Sequence, residues 1–347
     1  MKIGNIEFNN PIILAPMESV TDLPFRVICR RMGADLVVTE FIASDALVRE
    51  VQKSFEKMQF VEEERPIAVQ IFGGNRDAMV ESAKIVEDSG ADILDINMGC
   101  WVKKVVNHNA GAAMLKDTEK MAEMAEAVVN AVSMPVTVKT RLGWDKNSIV
   151  IEKAATLLEQ AGIAALTVHC RTRQDGMTGE ADWNWLPKVK EKINIPVFLN
   201  GDILSPEDVQ KAFLMTGCDG AMIARGAIGN PFIFSQTKKF LKDGFYASVT
   251  PEMRINVCLE HLDLTIQYKG LERGLHEFRK HYSGYFKGLN NCSKIRQILV
   301  TLENYEGIKS TLFNYLDFLL NHQESQNQLN EDFDVVENPP RLDLMTA

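Results

Sequence analysis

Residues 197–206 read Val-Phe-Leu-Asn-Gly-Asp-Ile-Leu-Ser-Pro. An apolar run ends at Asn200-Gly201-Asp202, and Ser205-Pro206 then supplies a helix N-cap and a first helical position. This is the junction between a buried strand and the helix that follows it. The same unit recurs along the chain. Short apolar runs predict strands at Ile12–Ala15, Leu36–Thr39, Ile67–Ile71, Ile93–Ile96, Val136–Lys139, Ala165–His169, Val197–Leu199 and Gly220–Ile223. Segments of helical period lie between them, among them Arg76–Ser89, Thr118–Val132, Ile149–Ala161 and Pro206–Met215. Gly90 and Gly162 stand where two of these helices should stop. Eight strand–helix units imply an α/β fold in which a parallel sheet closes into a (β/α)8 TIM barrel. The competing architecture is a doubly wound open sheet. No GxGxxG follows the first strand and no Walker loop is present, which counts against it.

After about Gly244 the strands stop. Thr250-Pro251 opens a helix with Ile255, Leu259, Leu262 and Ile266 on one face. A second helix is expected from about Leu271 to Leu289, with Leu275, Phe278, Tyr282, Phe286 and Leu289 on its stripe, and two more near Lys294–Glu303 and Ser310–Asn321. The pattern divides the chain into a barrel over 1–243, a small helical bundle over 244–322 and an acidic, disordered tail over 323–347.

With 347 residues, 46% hydrophobic and 24% charged, the composition is that of a globular protein. MKIGNIEFNN has no apolar signal-peptide core, and no apolar run approaches the roughly 18 residues of a membrane span. The six cysteines form no CxxC pair, which argues against a metal site or a disulfide framework and for a reduced, cytoplasmic protein. A monomer is the default expectation. A net charge of −9 opposes binding to a polyanion, but the charge is uneven. Residues 324–347 hold six acids and one base, whereas residues 268–296 hold seven bases and two acids. Local charge governs such binding more than the total does.

Active sites of such barrels lie at the C-terminal ends of the strands. Here those ends read Ala15-Pro16-Met17, Thr39-Glu40, Val69-Gln70, Asn97-Met98-Gly99-Cys100, Lys139 with Arg141, His169 with Arg171 and Arg173, Asn200-Gly201-Asp202, and Ala224-Arg225-Gly226. A whole ring of polar and basic residues after buried apolar ones points to a cofactor with a flat ring and a phosphate. Lys139 closes a buried strand, where an unpaired ammonium is costly. A flavin, anionic when reduced, would match it; a barrel carboxylate such as Glu40 or Asp95 is the alternative partner. The small residues around Gly201 and Ala224, with Arg225, suit a phosphate. Gln70 either bonds the ring edge or caps a barrel layer. His169 either touches the cofactor or is a satisfied core histidine.

Cys100 stands apart from Cys29, Cys170, Cys218 and Cys258, because it lies in a loop at the barrel mouth. An ordinary thiol is mostly protonated at neutral pH, which suits a proton donor. In the helical region, Arg273, Lys280 and Lys287 are spaced by seven and would form one stripe opposite the apolar face, extended by Arg279, Lys294 and Arg296. Either RNA or a solvated face explains it; Tyr282, Tyr285 and His281 interleave with the bases as possible stacking groups.

Taken together, Ala15-Pro16-Met17, Val69-Gln70-Ile71-Phe72-Gly73, Asp95-Ile96-Asn97-Met98-Gly99-Cys100, Val138-Lys139-Thr140-Arg141-Leu142-Gly143, Val168-His169-Cys170-Arg171-Thr172-Arg173, Ala181-Asp182-Trp183 and Asn200-Gly201-Asp202-Ile203 resemble the tRNA-dihydrouridine synthase family, closest to its bacterial B subgroup. The resemblance runs to about residue 320. It implies a barrel holding FMN, reduced by NADPH, and a helical domain that helps bind tRNA. Pro16, Met17, Gln70, Lys139, His169, Asn200, Gly201, Asp202, Ala224 and Arg225 would contact FMN. Hydride would pass to C6 of a uracil turned out of its stack, and Cys100 would protonate C5. Asn97, Arg141, Arg171 and Arg173 are the candidates on the barrel for holding substrate, and Arg273, Arg279, Lys280 and Lys287 those on the helices. Several positions depart from the family pattern: Trp101 where Pro is usual, Ala224 and Cys170 where Gly is usual, and Asp175 and Met177 for Gln and Tyr. The departures leave three other readings: ribosomal RNA as the target, a small-molecule flavin enzyme, or an RNA-binding homologue with impaired catalysis.

Overall fold

The computed structural model describes the backbone of residues 1–336 and the side chains of residues 1–322. It divides into two compact units, Met1–Ala247 and the chain from Ser248 onwards. Among the described residues no helix is long and apolar enough to cross a membrane.

In the first unit eight parallel strands follow one another around a closed sheet: β1 (Ile12–Leu14), β2 (Leu36–Val38), β3 (Ile67–Phe72), β4 (Ile93–Met98), β5 (Val136–Arg141), β6 (Ala165–His169), β7 (Val197–Asn200) and β8 (Gly220–Ile223). β8 pairs with β1 through Ala221 opposite Ile12, and β2 with β3 through Val37 opposite Ile67, so the ring has no open edge. The architecture is the expected (β/α)8 barrel. β4 and β5 run two residues beyond their apolar stretches, through Asn97-Met98 and Thr140-Arg141. Strand propensity alone stops at the last apolar residue; here the ladder continues because these side chains are buried within the protein.

Local chemistry sets the helix ends. Ser205 accepts from Asp208 N while Pro206 fills the first turn, and Gly217 closes the same helix, Pro206–Thr216, in the left-handed region at φ 62°. Asn75 caps Arg76–Asp88 through Ala78 N, and Asp117 caps Thr118–Val129 through Lys120 N. The outer strand faces pack on these helices in one large cluster that includes Val69, Leu94, Val138, Leu166 and Leu199, none of them exposed. Cutting one such leucine to alanine costs about 2–5 kcal/mol. A smaller cluster, which includes Ile13, Leu36, Ala68, Ile93, Ala165, Phe198 and Met222, fills the barrel interior, joined by Ile3 and Phe8 from the N-terminal segment.

The second unit is helical. Thr250 caps Pro251–Lys269, as its Thr-Pro start predicts. The single helix expected over Leu271–Leu289 is instead two short ones, Leu271–Phe278 and Tyr282–Tyr285. Phe278, His281, Tyr282, Tyr285 and Phe286 are all buried at the spacing of one helix face, so the expected apolar stripe is inside although the backbone turns at 279–281. Cys292–Leu299 and Tyr305–Val336 follow. The tail expected to be disordered from 323 instead continues the last helix as far as Val336; residues 337–347, and all side chains from 323, lie outside the described residues.

Candidate active site

Alternate residues of a strand face opposite sides of the sheet, and this period carries the site. On the inner face, the apolar layer of Ala68, Ile93, Ala165 and Phe198 gives way towards the C-terminal ends to Gln70, Asp95, Asn97, Thr137, Lys139, His169 and Asn200. The register sets them side by side: Gln70 opposite Asp95, Asp95 opposite Thr137, Asn97 opposite Lys139, and Asn200 opposite His169.

These groups bond one another. Asn97 Nδ2 donates to Gln70 Oε1 at 2.9 Å, Gln70 Nε2 to Asp95 Oδ2 at 2.6 Å, and Thr137 Oγ1 to Asp95 Oδ1 at 2.5 Å. Burial raises the Asp95 carboxyl to about 6, against the Thr137 and Gln70 hydrogen bonds and the Lys139 charge. Lys139 Nζ donates to Asn200 Oδ1 at 3.0 Å and forms no ion pair with either anticipated carboxylate. Glu40 instead accepts from Ser19 N and lies 3.8 Å from Lys57. Burial, then the neighbouring Arg141 charge, lowers the Lys139 ammonium to about 8.

The loop after β4 holds Cys100, and it is fixed from both sides. Asn97 Oδ1 accepts from Gly99 N at 3.1 Å and from Cys100 N at 2.8 Å, while Cys100 O accepts from Ala112 N at 3.0 Å. Arg141, only 3% exposed, donates from Nε to Gly99 O at 2.8 Å and from Nη1 to Thr172 O and Gly176 O, both at 2.9 Å. One guanidinium thus ties the loops after β4 and β6 together. Burial pushes the half-buried Cys100 thiol above its ordinary value, outweighing Arg141 and Lys139, so the sulfur keeps its proton at neutral pH.

Across the mouth, a small open cavity of about 30 Å3 is lined by His169, Arg171, Met177, Asn200, Gly201, Asp202, Ile203, Leu204, Met222, Ala224 and Arg225. Gly201 sits at φ 118°, where side chains are strained, and a Cβ there would come within 3.1 Å of the His169 ring. Arg171 Nη2 lies 2.6 Å from Asp202 Oδ2, and Arg225 Nη2 lies 2.9 Å from Asp202 Oδ1. Two guanidinium groups share one carboxylate, which leaves a positive excess. His169 registers it: burial, then the charges of Arg141, Lys139, Arg171 and Arg225, holds its imidazole well below the usual range. The ring is therefore neutral. With Arg171 Nη1 3.4 Å from Nε2, and a guanidinium able only to donate, the ring proton belongs on Nδ1.

A family model described as dihydrouridine synthase (Dus) matches residues 13–319. The chain belongs to the dihydrouridine synthase family. It is 39% identical over 325 residues to a probable tRNA-dihydrouridine synthase of Rickettsia bellii, covering 93% of this chain and 100% of that one. To tRNA-dihydrouridine synthase B of Pseudomonas aeruginosa it is 43% identical over 298 residues, covering 85% and 90%. Among solved structures, a histamine dehydrogenase from Rhizobium shares the fold with a TM-score of 0.52 at 14% identity, covering 76% of this chain and 50% of that one. A 2-naphthoyl-CoA reductase does so with a TM-score of 0.53 at 12% identity, covering 70% and 51%. The chain spans about half the length of these two, and the likeness is one of fold alone.

Dihydrouridine synthases are flavin-dependent oxidoreductases, and the residues present fit that class of group. The cavity carries excess positive charge beside small residues, and a buried ammonium stands in the ring next to it. Of the expected cofactor residues, His169, Asn200, Gly201, Asp202, Ala224 and Arg225 line the cavity. Gln70 and Lys139 lie in the inner ring, and Pro16 and Met17 are half-buried just past β1.

The expected substrate residues fare unevenly. The Asn97 amide and the Arg141 Nε and Nη1 groups are engaged with backbone and with Gln70. Arg171, 2% exposed, is taken up by Asp202 and by Thr178 O and Gly179 O. Arg173 lies over the Trp144 ring at 4.6 Å. On the helices, Arg273 pairs with Glu277 at 2.8 Å, Arg279 is half-buried, and Lys280 and Lys287 are exposed. The helix break means the four do not form one straight stripe, and His281, Tyr282 and Tyr285 are core residues rather than stacking groups. Sequence reasoning missed Thr137 and Gly176, and it gave Asp95 only as an alternative partner for Lys139. Their signal lies in strand period and in one glycine at φ 58°, neither of which carries chemistry by itself.

Proposed function

We propose that this chain reduces uridine to 5,6-dihydrouridine in transfer RNA. Its relatives from Rickettsia bellii and Pseudomonas aeruginosa carry names that state this activity for them. FMN, reduced by NADPH, supplies the hydride for C6 of the uracil. Cys100 supplies the proton for C5, so uridine, NADPH and one proton become dihydrouridine and NADP+. A uracil stacked in a helix presents neither carbon, so it must be turned out into the barrel mouth.

The observation that carries this reading is the state of Cys100. A general acid must hold its proton at the working pH and stand fixed near the atom it protonates. Burial supplies the first condition, and the hydrogen bonds from Cys100 N to Asn97 Oδ1 and from Ala112 N to Cys100 O support the second. Pro16, Met17, Gln70, Lys139, His169, Asn200, Gly201, Asp202, Ala224 and Arg225 would hold FMN. The Lys139 ammonium matches the negative charge of a reduced flavin ring, and Arg225 matches a phosphate. Asn97 and Arg141 act as positioning residues, the first aiming Cys100 and the second locking its loop to the loop after β6. Lys280 and Lys287 offer charge to the RNA backbone from the helical unit.

The test is nucleoside mass spectrometry after incubating the protein with NADPH and RNA from cells lacking its gene. Dihydrouridine above the no-enzyme control, lost in Cys100→Ala while flavin is retained, is the expected result. Absence of product while NADPH reduces the bound flavin refutes RNA as the substrate.

A further inference from the structure

The catalytic loop continues from Cys100 into exposed apolar surface. Trp101 is 41% exposed and Val102 44%, and Lys103 and Lys104 follow at the surface. Trp101 is not a free arm. It lies on the loop after β6, so close that a Cβ on Gly176 would sit 3.2 Å from Trp101 Cε3. Gly176 is buried at φ 58°, a conformation and a spacing that both favour glycine. The next residue, Met177, is 38% exposed and lines the cavity that holds His169, Asn200 and Arg225. A continuous apolar ledge therefore runs from the cavity rim at Met177, over Gly176, to Trp101 beside Cys100. Arg141 bonds both Gly99 O and Gly176 O, so the ledge and the thiol are fixed to one guanidinium.

Trp101 and Val102 leave apolar surface in water beside the Cys100 loop, and the charge around them points to what would cover it. From Gly99 to Lys116 the chain carries Lys103, Lys104 and Lys116 and no acidic residue. An exposed aromatic ring with exposed lysines two and three residues along the chain is a pairing that can hold unstacked nucleotides: the ring takes a base, the cations take phosphates.

We infer that Trp101 is a stacking platform for the RNA base that neighbours the reduced uridine, with Lys103 and Lys104 holding the adjoining phosphates. The inference rests on RNA being the substrate. It makes Trp101 a substrate-positioning residue: the neighbouring base, pinned on the ring, sets where the uracil lies relative to Cys100.

The experiment measures dissociation constants for RNA by filter binding, and KM and kcat for dihydrouridine formation. Wild type, Trp101→Ala and Trp101→Phe are compared on an oligonucleotide spanning the mapped site, with flavin absorbance and the thermal midpoint as fold controls. Each flanking base is also replaced by an abasic residue. Trp101→Ala should weaken binding and raise KM about tenfold or more, and Trp101→Phe should recover most of the loss. Removing the stacked base should weaken wild type by a similar factor and leave Trp101→Ala unchanged, because the two deletions remove one contact. Equal binding by wild type and Trp101→Ala overturns the platform, as does a full additive loss on every abasic substrate. If dihydrouridine forms and wild type and Trp101→Ala bind equally, the platform alone falls; if wild type makes no dihydrouridine, no site is mapped and uridine reduction and the platform fall together. If it binds no RNA, both fall.

Discussion

Asn97→Ala isolates the device that aims Cys100. The Asn97 side-chain oxygen accepts the Gly99 and Cys100 N–H groups at 3.1 and 2.8 Å, and its nitrogen donates to Gln70 at 2.9 Å. Alanine leaves two loop donors and one buried Gln70 acceptor without partners. A buried group so deprived costs about 1–3 kcal/mol, but Gly99 and Cys100 are half-buried and water replaces part of their loss. The sum is about 2 kcal/mol, which for a unit of this size lowers the thermal midpoint by roughly 4–8 °C. The kinetic effect should be larger, since a displacement of about 1 Å at a reacting group costs around 10²-fold. Single-turnover reduction of RNA by the NADPH-reduced protein measures it, with KM obtained separately. The expected outcome is a fall of about 10²-fold in kcat with KM nearly unchanged. Asn97→Asp, which keeps both acceptor bonds, should return to within roughly tenfold of wild type. A rise in KM alone would refute the positioning role and make Asn97 a group that holds the uracil directly.

Three further outcomes follow from the ionisable groups. Cys100→Ala should retain flavin but lose about 10²–10⁴-fold in dihydrouridine formation, and because burial raises the thiol, wild-type single-turnover rates should stay flat through neutral pH and decline only at alkaline pH beyond the range of an ordinary thiol; a break near neutrality refutes the assignment. At Asp202, burial raises the carboxyl, but hydrogen bonds from Arg171 and Ala181 N and the Arg171 and Arg225 charges outweigh it and hold the group below its ordinary range. That stabilisation is present above the unfolded value of about 3.9 and is lost as pH falls through the folded one, so the melting difference between wild type and Asp202→Asn should shrink below about pH 4, and a constant difference would sink the claim. The Lys139 ammonium, lowered to about 8, costs stability that is fully felt below that value and fades towards the unfolded value of about 10.4. Lys139→Met should therefore melt no lower than wild type at pH 7 in flavin-free protein while retaining less flavin on purification, and a clearly lower melt would refute the cost.

The barrel was legible because its signal is repetitive. Eight apolar runs with capped helices between them leave few closed arrangements, and the observed strands begin at the expected residues. Position on the ring was legible for the same reason: a residue at a strand's C-terminal end must lie at the mouth. What a side chain does there was less legible, because partners come from strands far apart in sequence. Gln70 and Asn97 share a hydrogen bond across 27 residues, and Arg171 meets Asp202 across 31. Arg171 and Arg173, two residues apart, end on a carboxylate and on an indole ring. The helical unit was misread where one helix was extrapolated through Arg279-Lys280-His281: the buried residues keep helical spacing across the turn, so their pattern carries no sign that the backbone breaks there.

Trp101 shows how a departure from a family pattern is absorbed. A proline after the cysteine would restrict the backbone by its ring. Tryptophan imposes no such restriction, and from sequence alone the aim of Cys100 looks unsupported. The structure supplies the restraint from outside the loop: Asn97 holds the Cys100 N–H, Ala112 N holds its carbonyl, and Arg141 holds Gly99 O. With the backbone fixed by three separate strands and segments, the side chain at 101 is released from a conformational duty and can face solvent. Trp101 rests on Gly176 with part of its surface covered and leaves 41% exposed beside Cys100. The position is therefore where a contact with the substrate is most economically added, and Trp101→Ala should affect RNA recognition far more than it affects the melting of the barrel.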